Sequence, residues 1–383
     1  MEKPIVIIGT GLAGYNIAKE IRKLDTETPL YLITADDGSF YSKPMLSTGF
    51  TKKKTAPELA SANAGTMADQ LKATIRTNTR VTSINPEAHT VNLGDDVLEY
   101  SKLILAWGAD VIAHRLQGDA AEQVCTVNDL ADYDRLRNEL EGGKKVAIIG
   151  AGLIGCEFAN DLVNGGYEVE LVASDNHIMS NLLPPEVADA VLEGLQQEGV
   201  KVHFGALAHG VDKQENGRLK LSLSNGSNIE ADVVISAIGL RPRIALASDS
   251  GFKVNNGIVV DRYLRTSHED IFALGDCAEV DGLVLLYVLP LMACTRALAK
   301  TLTGTDTQVS YGPMPVTVKT PSCPLVVAPP AKDASGSWEI ERDGMDVKAL
   351  FRNDDGTLLG FALTGTKIPE RMALSKELQP IMA

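Results

Sequence analysis

The apolar residues at the start of the chain are first continuous and then periodic. Four apolar residues, 5–8, lead directly into Gly9, Gly11 and Gly14, and apolar positions then recur at helical spacing through residues 17–24. A continuous apolar run of this length is typical of a buried strand, and the later spacing is that of one helix face. The pattern predicts a strand, a tight glycine turn and a helix.

A glycine-rich turn between strand and helix is the pattern that binds the pyrophosphate of a dinucleotide. The first glycine allows the turn, the second lets the phosphates approach the backbone, and the third lets the helix pack on the strand. The helix N-terminus then faces the phosphate charge. We expect Gly9, Gly11, Leu12, Ala13 and Gly14 to bind such a cofactor.

The same pattern occurs a second time. Residues 146–149 are apolar and are followed by Gly150, Gly152 and Gly155. A single turn of this kind also arises for purely structural reasons, but its repetition after another β-rich segment predicts two dinucleotide sites in one chain.

An acidic residue follows the second predicted strand, residues 30–33. Asp36 lies about 20 positions beyond the last glycine of the first turn, where a carboxylate holds a ribose hydroxyl. We favour that role for Asp36, and the alternative is a solvated turn before Gly38.

Short alternating segments indicate where each domain departs from a parallel sheet. Four such segments predict an antiparallel meander before the parallel sheet resumes at residue 103. These segments are residues 73–76, 79–84, 90–93 and 97–100. A second meander is expected within residues 218–231, and strands at 257–260 and 271–274 return the chain to the first domain. Beyond Gly312 the pattern is antiparallel strands and a final helix, without a glycine motif.

The predicted fold class is α/β, with two Rossmann-like dinucleotide-binding domains and a C-terminal α+β domain. The first dinucleotide-binding domain is split by the second, and each carries a small antiparallel meander. We expect the first domain at residues 1–110 and 241–312, the second at 111–240 and the C-terminal domain at 313–383.

Composition narrows the functional classes. The 383 residues carry a net charge of -14, which disfavours nucleic acid or an anionic membrane as the main partner. The first apolar run has no basic leader and ends at Gly9, and the longest apolar run, residues 283–294, falls short of the roughly 20 residues that span a bilayer. These features predict a cytoplasmic protein.

The cysteines and histidines do not form a recognisable ligand pattern. The five cysteines are dispersed without a Cys-x-x-Cys pair, which fits reduced thiols better than disulfides, zinc or an iron–sulfur cluster. The six histidines show no i, i+4 pair, so we expect no metal site.

The ordered motifs resemble those of the FAD-dependent pyridine nucleotide-disulfide oxidoreductase superfamily. The resemblance spans the chain and rests on both glycine turns and on three further segments, residues 105–108, 237–242 and 271–276. It implies FAD in the first domain, with Asp276 on the ribityl chain, and NADH or NADPH in the second. It also assigns cofactor contacts to Val81, Ala106, Trp107, Gly239 and Gly275. Trp107 departs from the family, which usually has threonine there.

The segment after the second strand of the inserted domain favours NADH. The acidic residue that usually ends this strand is replaced by Ala173, and residues 172–177 offer no cation apart from His177. NADPH would need a positive side chain for its 2′-phosphate.

The electron acceptor is indicated by Lys43. Single-cysteine peroxidases and oxidases of the superfamily have their redox cysteine at the position of Lys43, and a lysine cannot form a sulfenic acid. A redox cysteine pair is also missing, so the resemblance points to the reductases of small iron proteins. Residues 42–49, 318–321 and 373–378 resemble the rubredoxin reductases within the superfamily, which implies rubredoxin as the partner.

In this interpretation the cofactors carry the redox chemistry and the protein positions and tunes them. We expect Lys43 and Lys319 to stabilise reduced flavin electrostatically, and Glu157 to pair with Lys43 or to orient the nicotinamide. The alternative for each lysine is a solvated surface charge. Residues 52–54 are three lysines in succession. Together with Lys319 they form either a basic docking patch for an acidic partner or an ordinary solvated surface.

Two other functions remain open from the sequence. One is a reductase of a ferredoxin or a flavorubredoxin. The other, of a different class, is a flavin-bound redox sensor or interaction protein whose conformation responds to NADH.

Overall fold

The computed structural model describes residues 3–383. The first part of the first domain runs through residue 111 and alternates short strands with helices. Its elements are β1 (Ile5–Ile8), α1 (Leu12–Leu24), β2 (Leu30–Ile33), β3 (Phe40–Tyr41), α2 (Ala56–Leu59), β4 (Ala60–Ala62), α3 (Ala64–Leu71), β5 (Thr74–Arg76), β6 (Ser83–Asn85), β7 (Thr90–Asn92), β8 (Val97–Glu99), β9 (Lys102–Leu105) and β10 (Ala109–Val111).

The inserted domain also alternates strands with helices, and it has its own parallel sheet. Its elements are α4 (Leu130–Glu139), β11 (Lys145–Ile149), α5 (Leu153–Asn164), β12 (Glu168–Val172), α6 (Pro185–Gln197), β13 (Lys201–His203), β14 (Ala208–Lys213), β15 (Leu219–Leu223), β16 (Asn228–Ala231), β17 (Val233–Ser236) and β18 (Leu240–Pro242). The parallel sheet has the strand order β13-β12-β11-β17. Strands β14-β15-β16 form a meander that includes the expected residues 218–231 and begins earlier, with β14.

The chain then returns to the first domain, as the sequence predicts. The returning elements are α7 (Ala245–Asp249), β19 (Ile258–Val260), β20 (Ile271–Ala273), β21 (Ala278–Val280) and α8 (Val288–Leu302). Strand β20 pairs in parallel with β9 and completes a sheet with the order β20-β9-β1-β2-β5. Every residue of β1 is buried, as expected for a central parallel strand covered on both faces.

One strand assignment from the sequence is wrong. Residues 73–76 were expected in the antiparallel meander, but β5 pairs in parallel with β2 and extends the main sheet. The meander consists of β6, β7 and β8 alone. A three-residue segment carries too little periodicity to distinguish a parallel edge strand from a meander strand.

The C-terminal domain is an antiparallel sheet with a short helix. Its elements are β22 (Val316–Val318), β23 (Leu325–Ala328), β24 (Ser337–Asp343), β25 (Asp346–Arg352), β26 (Leu358–Thr364) and α9 (Arg371–Glu377), and the strand order is β22-β23-β26-β25-β24. These elements and both Rossmann-like sheets confirm the predicted fold class.

Two features fix the domains relative to one another. The two crossings between the first and inserted domains, β10 and β18, pair as an antiparallel ribbon. In addition, residues 43–59, which we call the arm, leave the first domain between β3 and β4. The arm places Leu46, Phe50 and Leu59 in the hydrophobic core that the inserted and C-terminal domains share.

None of the helices in residues 3–383 has both the length and the apolar character needed to cross a membrane.

Candidate functional site

The first glycine turn leaves open space at the N-terminus of α1. Gly9 has φ +112°, and a Cβ there would overlap the carbonyl of Ala106, the residue that follows β9. A Cβ at Gly14 would overlap the Gly9 carbonyl. Gly11 differs, because a Cβ there would contact nothing within 4 Å. Gly11 caps α1 without a side-chain hydrogen bond, so the first N–H groups of the helix are left for a ligand.

The second glycine turn has the same geometry. Gly150 has φ +104° and approaches the Ala237 carbonyl, which a Cβ would meet at 2.7 Å. Gly155 packs against the Gly150 carbonyl, and Gly152 again faces open space at an uncapped helix N-terminus. Two glycines in each turn are thus required for packing, and the middle one leaves the room that a pyrophosphate needs.

The first turn lies directly against the predicted ribityl site. Gly275 has φ +75°, and a Cβ there would lie 2.9 Å from the Cβ of Ala13. Lys43 Nζ lies 3.7 Å from Asp276 Oδ2, and both side chains are partly exposed. Burial lowers the pKa of the Lys43 ammonium, and the Asp276 carboxylate opposes this effect. Leu12 and Ala13 form the first turn of α1 beside this pair.

Asp36 follows the carboxyl end of β2 and lies beside the first glycine turn. Its Oδ1 accepts hydrogen bonds from the Thr34 hydroxyl at 2.6 Å and the Gly38 N–H at 2.9 Å, which is the turn that the sequence left as an alternative. The Thr10 hydroxyl also reaches Oδ1 at 3.4 Å, so Asp36 is tied to the glycine turn. The structure thus shows that Asp36 stabilises this turn, and its binding to a ribose hydroxyl remains a prediction.

The remaining predicted cofactor residues lie on both sides of the β10–β18 ribbon or in the core of the first domain. Val81 is buried in that core. The Trp107 indole donates to the Arg243 carbonyl at 2.9 Å, so this unusual tryptophan links the residues on either side of the inserted domain. Gly239 has φ +118°, and its carbonyl accepts the Ile112 N–H at 3.0 Å.

Glu157 does not pair with Lys43. It is 0 % exposed and accepts hydrogen bonds from the Ser47 hydroxyl at 2.6 Å and the Lys319 main-chain N–H at 2.9 Å. The Lys319 ammonium forms a salt bridge to the same carboxylate. The pairing of Glu157 with Lys43 is therefore wrong, because Glu157 joins the arm to the C-terminal domain while Lys43 pairs with Asp276. The alternative, that Glu157 orients the nicotinamide, stays a prediction.

Two further polar residues of α5 are buried, and sequence reasoning missed both. The Asn160 side-chain oxygen accepts hydrogen bonds from the Ser322 N–H at 3.2 Å and from the Ser322 hydroxyl at 2.9 Å. The Asp161 carboxylate accepts main-chain N–H groups of the arm. Together with Glu157, these residues occupy positions i, i+3 and i+4 of a largely apolar helix. A polar stripe on such a helix is the sequence signal that could have identified Asn160 and Asp161.

A cavity of about 690 Å³ opens at the carboxyl ends of β11 and β17. Its walls include Ile149 and Ile238, the residues just before Gly150 and Gly239, together with Leu207, Arg115 and Arg241. Ligands of open α/β sheets bind at this edge, where the strand order reverses. The cavity and the second turn therefore fit a dinucleotide.

The cysteines do not provide redox chemistry at this site. All five are buried. Burial raises the pKa of Cys277 to about 12 and those of Cys125, Cys294 and Cys323 to about 11, and it raises that of Cys156 further. A buried thiol with a raised pKa is a poor nucleophile. In the described part of the chain no group of His, Cys, Asp or Glu side chains is arranged to hold a metal ion.

The arrangement matches known proteins in sequence and in fold. Residues 3–301 match the family model "Pyridine nucleotide-disulphide oxidoreductase", and residues 308–378 match "Rubredoxin binding C-terminal domain". The chain is 57% identical to rubredoxin-NAD(+) reductase of Alcanivorax borkumensis over 99% of both chains. It is 43% identical to the protein of the same name from Acinetobacter baylyi over 97% of both.

A solved structure supports the architecture. A ferredoxin reductase from Rhodopseudomonas palustris superposes with a TM-score of 0.88 at 24% identity, covering 99% of this chain and 96% of its own. Two uncapped nucleotide turns in a split domain, together with family matches along nearly the whole chain, show that the chain belongs to the pyridine nucleotide-disulphide oxidoreductase family.

Proposed function

We propose that this protein is an NADH-dependent flavoprotein reductase that passes electrons to rubredoxin. The chain uses FAD and NADH. Rubredoxin is proposed as the electron acceptor because the chain is similar over its full length to two rubredoxin-NAD(+) reductases. The match of the C-terminal domain to a rubredoxin-binding domain supports this assignment.

The residues present fit both cofactors. The turn of Gly9, Gly11 and Gly14 and the Gly275–Asp276 segment would hold FAD, and the turn of Gly150, Gly152 and Gly155 would hold NADH. The chemistry supplied by bound FAD is acceptance of a hydride and release of single electrons to a one-electron partner.

The charged residues have distinct tasks in this proposal. Lys43, paired with Asp276, would supply positive charge to the proposed FAD site and so stabilise the negative charge of reduced flavin. Lys319 neutralises the buried Glu157, which also accepts the Ser47 hydroxyl, and so keeps the arm and the C-terminal domain together on α5.

Other acceptors within the family are disfavoured by the same residues. Lys43 occupies the position of the redox cysteine of peroxidases and oxidases, and every cysteine of the chain is buried. Preference for NADH rests on residues 172–177, which lack the lysine or arginine that a 2′-phosphate requires. The dispersed and buried thiols also favour a cytoplasmic location.

The docking of rubredoxin would use local positive charge. The lysines at 52–54 are exposed on the arm, whereas Lys319 is largely engaged by Glu157. Rubredoxins are acidic, and so is this protein, so a basic patch is needed to bring the two together.

The experiment is a comparison of acceptors. FAD-loaded protein with NADH should reduce rubredoxin much faster than ferredoxin, peroxide or a disulfide. Faster reduction of ferredoxin or of a flavorubredoxin would refute the rubredoxin assignment. NADH binding without turnover of any acceptor would favour a redox sensor instead.

A further inference from the structure

The arm is connected to the first domain but packed on the inserted one. Phe50 is buried between Tyr133 and Tyr167 of the inserted domain, with ring centroids at 5.3 and 5.6 Å. Gly49 lies against Tyr133 so closely that a Cβ would overlap its hydroxyl. Since the arm begins at Lys43, its seating determines where that lysine lies relative to the inserted domain.

A single buried carboxylate holds the middle of the arm. Asp161, which is 3 % exposed, accepts the Phe50 N–H on one oxygen at 3.0 Å and the Thr51 N–H on the other at 2.8 Å. The Thr51 hydroxyl also donates to the Asp161 carbonyl at 3.3 Å. Both carboxylate oxygens are thus used on two successive peptide groups of the arm.

This carboxylate is costly to bury. It forms no salt bridge within residues 3–383, and the charge of Lys52 acts on it only through space. Burial raises the pKa of the Asp161 carboxyl despite the hydrogen bonds from Thr51 and Phe50. Because the two N–H groups donate to different oxygens, asparagine would keep an acceptor for one of them and would turn its NH₂ donor towards the other.

The helix that carries Asp161 also begins at the nucleotide turn. Gly152 caps α5, Glu157 contacts Ser47 of the arm one turn later, and Asp161 contacts the arm one turn beyond that. The helix therefore connects the NADH-binding turn rigidly to the arm that starts with Lys43.

We propose that Asp161 is a positioning residue for hydride transfer, because its carboxylate fixes the arm on α5 and thereby sets the spacing between the two dinucleotide sites. This inference rests on the proposed function, but only on its first step, the transfer from NADH to FAD. A misplacement of about 1 Å between reacting groups can cost about a hundredfold in rate.

The test compares Asp161→Asn with Asp232→Asn. Asp232 also accepts two main-chain N–H groups, from Lys144 and Lys145 at 2.7 and 2.8 Å. Both bonds go to one oxygen, and the other oxygen pairs with Arg218. Asp232 lies at the amino end of β11, opposite the nucleotide-binding edge, so it is a control for the loss of a carboxylate that binds main-chain N–H groups away from the proposed site.

Three measurements are made on FAD-loaded protein. Stopped-flow reduction by saturating NADH should be at least about tenfold slower in Asp161→Asn, with weaker charge-transfer absorbance between NAD⁺ and reduced flavin. Trypsin should cleave after the exposed lysines at 52–54 faster than in the parent protein. Asp232→Asn should match the parent protein in all three, even where its melting temperature falls.

The inference is overturned if Asp161→Asn keeps the parent reduction rate, charge-transfer band and trypsin resistance. If Asp161→Asn does not fold, Asp161→Glu replaces it, since the extra methylene displaces the arm while both acceptor oxygens remain. A parent protein that NADH reduces but that does not reduce rubredoxin would refute the proposed acceptor and leave this inference intact.

Discussion

Replacing Gly11 or Gly152 with alanine should separate cofactor binding from folding. A Cβ at either position would contact no protein atom within 4 Å, and Gly11 has φ −68°, which alanine readily adopts. Alanine is a poorer N-cap than glycine by about 0.5–1 kcal/mol, and the lower conformational entropy of the unfolded alanine variant offsets about 0.4–1 kcal/mol of this. The FAD-free Gly11→Ala protein should therefore unfold within about 2 °C of the parent.

Cofactor affinity should respond much more strongly. A phosphate oxygen that accepts an N–H of the first turn of α1 would lie where the new methyl group projects. Loss of one charge-assisted hydrogen bond costs about 1.5–3 kcal/mol, which is about tenfold to a hundredfold in Kd. Gly11→Ala should lose FAD, and Gly152→Ala should keep FAD and show a Kd for NADH raised by a similar factor.

The assay is fluorescence titration of FAD into cofactor-free protein, with NADH titrated into the FAD-loaded form. Gly14→Ala is the contrasting variant, because its Cβ would overlap the Gly9 carbonyl and should lower the melting temperature itself. Parent affinity for FAD in Gly11→Ala, or unfolding of its cofactor-free form well below the parent, would refute the assignment of the open space to a pyrophosphate.

Other contacts give further expectations. Lys319→Met should destabilise the protein by about 3 kcal/mol in urea unfolding, because it leaves Glu157 buried without a cation. Glu157→Gln should cost less, because Lys319 can turn to solvent, and equal effects would contradict this. Lys43→Met should slow reduction by NADH or shift the flavin potential, and an unchanged stopped-flow trace together with an unchanged potential would exclude its electrostatic role. Burial raises the pKa of Tyr100 from its usual value near 10 to about 12, so the folded state retains a proton that the unfolded state loses, and stability should fall between those pH values. Other buried tyrosines and cysteines also have raised pKa values, so Tyr100→Phe should make this slope shallower by the share of one proton. The native thiols should resist a disulfide reagent at pH 8 until the protein is denatured.

The local patterns were sufficient for the two nucleotide turns. The spacing of Gly9, Gly11 and Gly14 and of their second copy reflects contacts within one strand–turn–helix unit, so the residues that meet are close in sequence. The return of the chain at β20 was also predictable, because the Gly275–Asp276 motif follows a continuous apolar strand.

The long-range contacts were not predictable in this way. Glu157 finds Lys319 instead of Lys43 because the arm turns its Ser47 face to α5 while Lys43 remains over Asp276. The polar stripe on α5 marks Asp161 as unusual, but its partners could not be predicted because they are main-chain N–H groups, which carry no sequence signature. Strand β5 lies at the edge of the main sheet because it pairs with β2, and the three residues of β5 alone do not indicate this pairing.

The order of β20 in the sheet has a consequence for synthesis of the chain. Ile271 pairs opposite Leu103, so β9 keeps an unpaired edge until the ribosome has made the whole inserted domain. At about 5–20 residues per second that delay is on the order of ten seconds. During this interval the inserted domain can fold first, while an apolar strand edge of the half-made first domain stays available to chaperones or to other nascent chains.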